Sequence, residues 1–357
     1  MLRIRRLLAI GWQITAVAVI TFLLAETTVR TCRYLFPSAI PSVIFYDKTY
    51  NRYRGKPGSS SFGFRLNSAG FKDLEFEPTK RPGTLRVVAL GDSFAFGAVP
   101  YQHNYLTVVE DRLQSQGILA ELINMGIPGL APQDYLSVLA NEGLKLNPDL
   151  VLVSFFVGND FDETMRLRTR LHQFSDFFAL MKYVIDMRVN IDGRVYESDS
   201  AYDDNAPYFR ESTYVEIEKQ RSWTYRRPPT YPRALDDAVR YLVQMKELAA
   251  RQDAGFMVLI MPDEFQVSPA LRARVLAALE LQEGDIDVRQ PNRFLSDELR
   301  RHGIVSVDSL DAFSDKGQAI TLYKPLDSHW NIAGNALAAE VLTEPLRRTL
   351  QTLAEKE

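Results

Sequence analysis

The sequence predicts an α/β fold in which a parallel sheet is covered by helices on both faces, preceded by one membrane-spanning helix. Three observations predict it. From Leu85 onward, short continuous apolar runs alternate with segments of helical period. The runs lack the apolar–polar alternation of a half-exposed strand, so each strand is buried on both faces, as in parallel sheets. Ahead of them, Leu7–Ala25 is almost free of charge and close to the roughly 20 residues that cross a bilayer core.

The N-terminal segment is flanked by charge. Arg3, Arg5 and Arg6 precede it, and Arg30 and Arg33 follow, with Glu26 nearer on that side. This balance favours an N-terminus in the cytoplasm and the remainder outside, a single-pass chain in the cytoplasmic membrane. A cleaved signal peptide and a buried core helix are competing readings. The apolar run is long for a signal peptide, and no small-x-small cleavage site directly follows it. Val29-Arg-Thr-Cys32 lacks the small apolar residues of a lipoprotein signal. Cys32 is the only cysteine, which excludes an intramolecular disulfide. Hydrophobic residues make up 46% and charged residues 24%, an ordinary globular balance. A net charge of −3 lacks the basic excess expected of a nucleic-acid binder.

Residues 1–30 therefore read as a basic cytoplasmic tip and transmembrane anchor, and 31–83 as a linker with a short hairpin within Phe62–Phe71. Residues 84–357 read as one α/β domain with an insertion at 161–232. Strands are predicted at Leu85–Leu90, Leu119–Met125, Leu150–Val157, Gly255–Met261 and Ile304–Val307. Helices are predicted at Asn104–Gln116, Gln133–Leu146, Ala234–Arg251 and Asn331–Glu355, where apolar residues recur at helical spacing and Gly117, Pro132 and Pro148 mark ends. The insertion combines an amphipathic helix, Glu163–Met187, with an aromatic tract from Tyr202 to Tyr231. That tract reads either as a lid or sugar-stacking surface, or as a cluster packed on itself.

Four segments carry the chemistry. Gly91-Asp92-Ser93-Phe94 directly follows the first strand, and catalytic groups of open α/β sheets lie just beyond strand carboxyl ends. Gly91 and Gly97 free that turn to expose the Ser93 hydroxyl; plain helix capping is the alternative. A serine hydroxyl needs a base. Of the four histidines, His103 falls near the start of the first helix, His172 in the insertion and His302 at a helix end. His329 lies in Asp327-Ser-His-Trp-Asn331, just before the last helix. If that stretch is extended, Asp327 points to the same side and can orient the imidazole; a helix-entry loop capped by Asn331 is the alternative. Donors for an oxyanion are available in Asn124-Met-Gly-Ile-Pro-Gly129 and Gly158-Asn159-Asp160, each also readable as turn chemistry. No metal-ligand spacing, phosphate loop or dinucleotide fingerprint is present, so neither metal nor cofactor is expected. Asp47, Asp73 and the acidic pairs near Asp203 read as solvated.

In order along the chain, these segments resemble the four blocks of the SGNH (GDSL-type) hydrolase superfamily, in its membrane-anchored bacterial form. The resemblance covers roughly Arg65 to the C-terminus, apart from the insertion. It implies a flavodoxin-like three-layer α/β/α fold with a five-stranded parallel sheet. It also implies Ser93 as nucleophile, His329 as base, and Gly129 and Asn159 as oxyanion donors. The acid departs from the family spacing, because Leu326 stands three residues before His329. The Asp-x-His-Trp form is similar to that of alginate O-acetyltransferases and related proteins, where the pair precedes the serine in the chain. Arg65–Phe71 and Pro262–Val267 resemble segments of membrane-anchored SGNH proteins, and read as scaffold or cleft. The resemblance implies an esterase or O-acyltransferase, with an acetylated envelope glycan or small ester as substrate and a membrane partner donating acyl groups. A lipase or thioesterase with the insertion helix as lid is one alternative. A catalytically silent scaffold or glycan-binding member of a polysaccharide machine is the other.

Overall fold

The computed structural model describes residues 2–35, 44–47, 49–50, 52–163, 175–185 and 202–355. The chain divides into two compact units: residues 1–41 with 167–194, and residues 42–166 with 195–357.

In chain order the elements begin with helix α1 (Leu2–Leu35), strands β1 (Ile44–Asp47) and β2 (Arg52–Gly55), then β3 (Ser60–Ser61) and β4 (Phe64–Arg65). Strand β5 (Leu85–Leu90) is followed by α2 (Ser93–Phe96), α3 (Tyr105–Ser115), β6 (Ala120–Asn124), α4 (Pro132–Asn141) and β7 (Leu150–Phe156). Next come α5 (Asp160–Glu163), α6 (Asp176–Ile185), α7 (Glu211–Arg221), α8 (Pro232–Ala250) and β8 (Gly255–Met261). The chain ends with α9 (Glu264–Val267), α10 (Pro269–Ala278), α11 (Gln290–Arg301), β9 (Val305–Asp308), α12 (Leu310–Gly317) and α13 (Ile332–Ala354).

The smaller unit contains α1 and α6. Within α1, Ala9–Cys32 is long and apolar enough to cross a membrane.

The larger unit is built on a five-stranded parallel sheet in the order β6-β5-β7-β8-β9. The first strand lies second in the sheet, so the direction of sheet growth reverses between β6 and β7. Such a reversal leaves a crevice at the carboxyl ends of β5 and β7. All seven residues of β7 are buried, as a central strand covered on both faces should be. Alternate residues feed two cores. Val88, Leu90, Val151 and Val258 face Leu139 and Leu242. Val87, Ala89, Leu152 and Met257 face Val109, Leu342 and Leu346.

The hairpin expected within Phe62–Phe71 forms slightly earlier. β3 and β4 pair antiparallel around Phe62 and Gly63, whose φ values of 49° and 77° make the tight turn. Of the helix expected over Glu163–Met187, Asp176–Ile185 forms α6, while 164–174 and 186–187 lie outside the described residues. The aromatic tract contains a helix not anticipated from the sequence, α7. Tyr214 and Tyr225 pack with Phe265, Leu271 and Val275 in a third core.

Candidate active site

Ser93 opens α2, immediately after β5. Asp92 caps this short helix, accepting the Phe94 N–H at 2.9 Å. The Ala95 carbonyl receives Asn104 Nδ2 at 2.9 Å and Asn124 Nδ2 at 2.7 Å. Gly126 admits the end of β6 to this turn, because a Cβ there would fall 2.5 Å from the Phe96 nitrogen. The Ser93 turn is thus fixed by side chains from three separate segments.

His329 is presented on a loop closed by a bridge between Tyr323 and Trp330. Lys324 N–H donates to the His329 carbonyl at 2.9 Å. The expected extended stretch is instead a bend. Leu326 adopts a left-handed backbone, with φ 50°, a conformation costly for an L-residue. Asp327 then uses one oxygen twice. Oδ1 accepts the His329 backbone N–H at 3.1 Å and meets the His329 Nδ1 at 2.6 Å. This local turn brings the carboxylate to the ring at a spacing of two residues. Burial opposes ionisation of Asp327, but the adjacent His329 holds its carboxyl below the ordinary value.

The opposite ring nitrogen, His329 Nε2, lies 2.6 Å from Ser93 Oγ. Ser93, His329 and Asp327 therefore form one hydrogen-bonded chain. Phe94 packs 5.0 Å from the His329 ring, and Trp330 meets Phe94 edge-on at 5.1 Å. Trp330→Ala is expected to destabilise the domain by about 3–5 kcal/mol, because its side chain is buried. Trp330→Phe should cost less, and thermal unfolding of the two variants checks the difference.

Asn159 follows β7 and joins the same region through Asp92, donating Nδ2–H to Asp92 Oδ2 at 3.0 Å. An amide nitrogen carries two hydrogens, so one donor remains. Burial raises the Asp92 carboxyl above its usual range, while the Phe94 N–H and the Asn159 amide act in the opposite sense. Gly129 lies beyond β6 in a turn, with φ 76°, and makes no hydrogen bond to these residues among those described. His103 lies in a short 3-10 turn and His302 caps α11; His172 lies outside the described residues.

One expectation needs correction. Asp73 is buried rather than solvated; it accepts the Asn124 N–H at 2.7 Å and the Tyr101 hydroxyl at 2.8 Å. Its role is to hold the end of β6. Pro262–Val267 is scaffold beneath the site: Tyr323 donates to the Pro262 carbonyl at 2.8 Å, and Asp263 is buried with Tyr225 at 3.3 Å. Sequence reasoning also left out Asp92, Asn124 and Asp204 as site supports. Asp204 accepts the Ile332 N–H at 3.1 Å and so caps α13 beside the histidine loop. The first two are readable as cap and strand-end residues, whereas Asp204 carries no local signal.

Asp263 and Glu264 of the Pro262–Val267 segment form an acidic group with Glu218, in which Glu218 and Asp263 are buried and Glu264 is half-buried. Burial, together with the charges of Asp263 and Asp327, raises Glu264 to about 7. A raised folded-state value means the folded chain holds that proton more tightly. Its contribution to stability is therefore complete below about 4.5, the unfolded value, and is lost as pH rises towards 7. Melting temperature should fall across that window, and Glu264→Gln should flatten the dependence.

Residues 220–357 match the family model ALGX, described as SGNH hydrolase-like domain, acetyltransferase AlgX. That match takes in the histidine loop but not the serine turn. Together with the sheet order, it agrees with the SGNH hydrolase-like fold. No curated protein matches the sequence. Among solved structures, the acetyl xylan esterase AlAXEase is similar at 14% identity, covering 73% of this chain and 100% of that one, with a TM-score of 0.43. A catalytic mutant of the acetylxylan esterase Axe2 from Geobacillus stearothermophilus is similar at 13% identity, covering 72% and 92%, with a TM-score of 0.41. The lipase/acylhydrolase from Enterococcus faecalis is similar at 13% identity, covering 74% and 96%, with a TM-score of 0.41.

Proposed function

We propose that this chain is a membrane-anchored serine esterase or O-acyltransferase acting on acetyl esters of a cell-envelope glycan. The observation that carries the reading is the continuous contact from Ser93 Oγ through His329 to Asp327, at 2.6 Å on each side of the ring. In this reading His329 takes the Ser93 proton as Ser93 Oγ attacks the ester carbonyl. Asp327 holds the ring with Nδ1 protonated and stabilises the imidazolium. The Ser93 and Gly129 backbone N–H groups and the free Asn159 amide hydrogen hold the oxyanion. The alcohol leaves with the proton from His329, giving an acyl-serine. Water or a sugar hydroxyl, deprotonated by His329, then takes the acyl group.

The reading divides the chain into anchor and cytoplasmic tip (1–30), linker (31–83) and an acyl-transfer domain (84–357) on the far side of the membrane. A membrane protein supplying acyl groups fits the transferase outcome. The family match names an acetyltransferase domain, which supports short acyl groups.

Hydrolysis of p-nitrophenyl acetate and longer esters by the full chain in detergent tests the reading, alongside a fluorophosphonate that labels an activated serine. Turnover falling with acyl length, with the label on the Ser93 peptide, is expected. A chain that neither turns over acetate nor takes the label overturns it and favours a silent glycan-binding scaffold.

A further inference from the structure

The insertion helix α6 lies outside the chemistry described above, yet its position against α1 is specific. Phe22 of α1 packs on Phe178 at 5.5 Å and on Phe177 at 6.2 Å. Glu26 of α1 receives the first groups of α6. Its carboxylate accepts Ser175 Oγ at 2.7 Å, the Asp176 N–H at 3.1 Å and the Phe177 N–H at 3.0 Å. Arg30 adds a fourth donor at 2.6 Å.

All of these contacts lie within the apolar span Ala9–Cys32. At a rise of about 1.5 Å per residue, Glu26 sits roughly 9 Å and Phe22 roughly 15 Å inside the Cys32 end of the span. A bare carboxylate at such a depth is costly, and intramembrane acids are accordingly paired. Here two of the four pairing groups are open N–H groups at the start of α6, whose positive end suits an anion.

The sequence of α6, DFFALMKYVI, carries one lysine and is otherwise apolar after its first residue. Met181 stays exposed, as do Ile20, Leu23 and Leu24 on α1. In water an apolar surface of this kind is a liability; against acyl chains it costs nothing. At ten residues, α6 is about 15 Å long, half of a hydrocarbon core, so it reaches into one leaflet without crossing.

We propose that α6 is a second membrane element, a leaflet-embedded helix paired with the anchor through Glu26 and packed against lipid acyl chains. It rests on the reading of α1 as a transmembrane anchor. In sequence the chain leaves the larger unit after residue 166 and rejoins it at 195, so the bilayer holds the chain at a second point besides its N-terminus.

The test uses the full chain in phosphatidylcholine–phosphatidylglycerol vesicles, with Cys32→Ser as background. A polarity-sensitive fluorophore is placed at Met181→Cys, at Val17→Cys within the span, or at Tyr231→Cys on the catalytic unit. Lipids brominated along the acyl chains serve as quenchers. Quenching at 181 should approach that at 17 and exceed that at 231 several-fold. Adding Glu26→Ala should lower quenching at 181 while leaving 17 unchanged. Quenching at 181 no greater than at 231, with 17 still quenched, overturns the proposal and leaves the anchor standing. No quenching at 17 either overturns both. Quenching at 181 unaffected by Glu26→Ala overturns the pairing.

Discussion

Ser93→Ala and His329→Ala are each expected to lower ester turnover by on the order of 10⁴- to 10⁶-fold, with little change in thermal stability. The argument is geometric. The serine hydroxyl is a weak nucleophile until a base takes its proton, and His329 Nε2 is the group within hydrogen-bond reach, at 2.6 Å. Removing either partner leaves the other without a function in attack. The double variant should therefore be no slower than the slower single variant, because groups acting as a unit lose activity together. Residual turnover above water would then report the oxyanion donors, and Asn159→Ala in the Ser93→Ala background should lower it further, since it removes one donor and leaves the backbone N–H groups. Equal turnover in the parent and both single variants would sink the triad. A loss accompanied by a lowered melting temperature would point to damage in the Ser93 turn instead, since that turn is held by Asp92, Asn104 and Asn124.

The parts of the fold readable from sequence were those governed by local pattern. β5, β7 and β8 are central strands, and burial on both faces leaves an uninterrupted apolar run. β9 was placed one residue early. As an edge strand it is less apolar, and Val305 is exposed. Between β8 and β9 only a helix end at His302 was read, although further cues exist. Ser268 caps α10 ahead of Pro269, and α11 places Pro291, Leu295 and Leu299 at helical spacing on its buried face. α7 gave no such cue, because a buried Glu218 stands where an apolar residue would signal the inward face.

That Ser93, Asp327 and His329 come together was legible because strand ends and the helix entry are short-range features. Two things were not. The bend at Leu326 depends on contacts from the insertion, where the Phe209 N–H donates to the Leu326 carbonyl at 3.2 Å. The aromatic tract, read as a lid or a self-packed cluster, in part buttresses the histidine loop: Tyr202 lies 5.2 Å from the Lys324 ammonium, two residues before Leu326. These are long-range pairings, and no periodicity announces them.

Asp327→Asn is expected to reduce kcat/KM by roughly 10⁴-fold while leaving the melting temperature close to that of the parent. The Asn side chain is nearly isosteric, and its oxygen can still accept the His329 backbone N–H that shapes the bend. It differs at the ring. A carboxylate only accepts, so it keeps the proton on Nδ1 and leaves Nε2 free to receive the serine proton. An amide can present a donor to Nδ1 instead, which moves the ring proton to Nε2 and turns the base into a donor facing Ser93. The imidazolium also loses its buried counter-charge. Asp327→Ala removes the bend contact as well, so it should lose both activity and stability, separating orientation from folding. The informative alternative is Asp327→Asn with near-parental kcat/KM. The acid would then lie elsewhere, and Asp92, buried and electrostatically coupled to His329, would be the carboxylate to change next. A large kcat/KM loss at Asp327 with the fold intact assigns the two-residue Asp-x-His spacing a catalytic part, despite its departure from the three-residue spacing usual in the family.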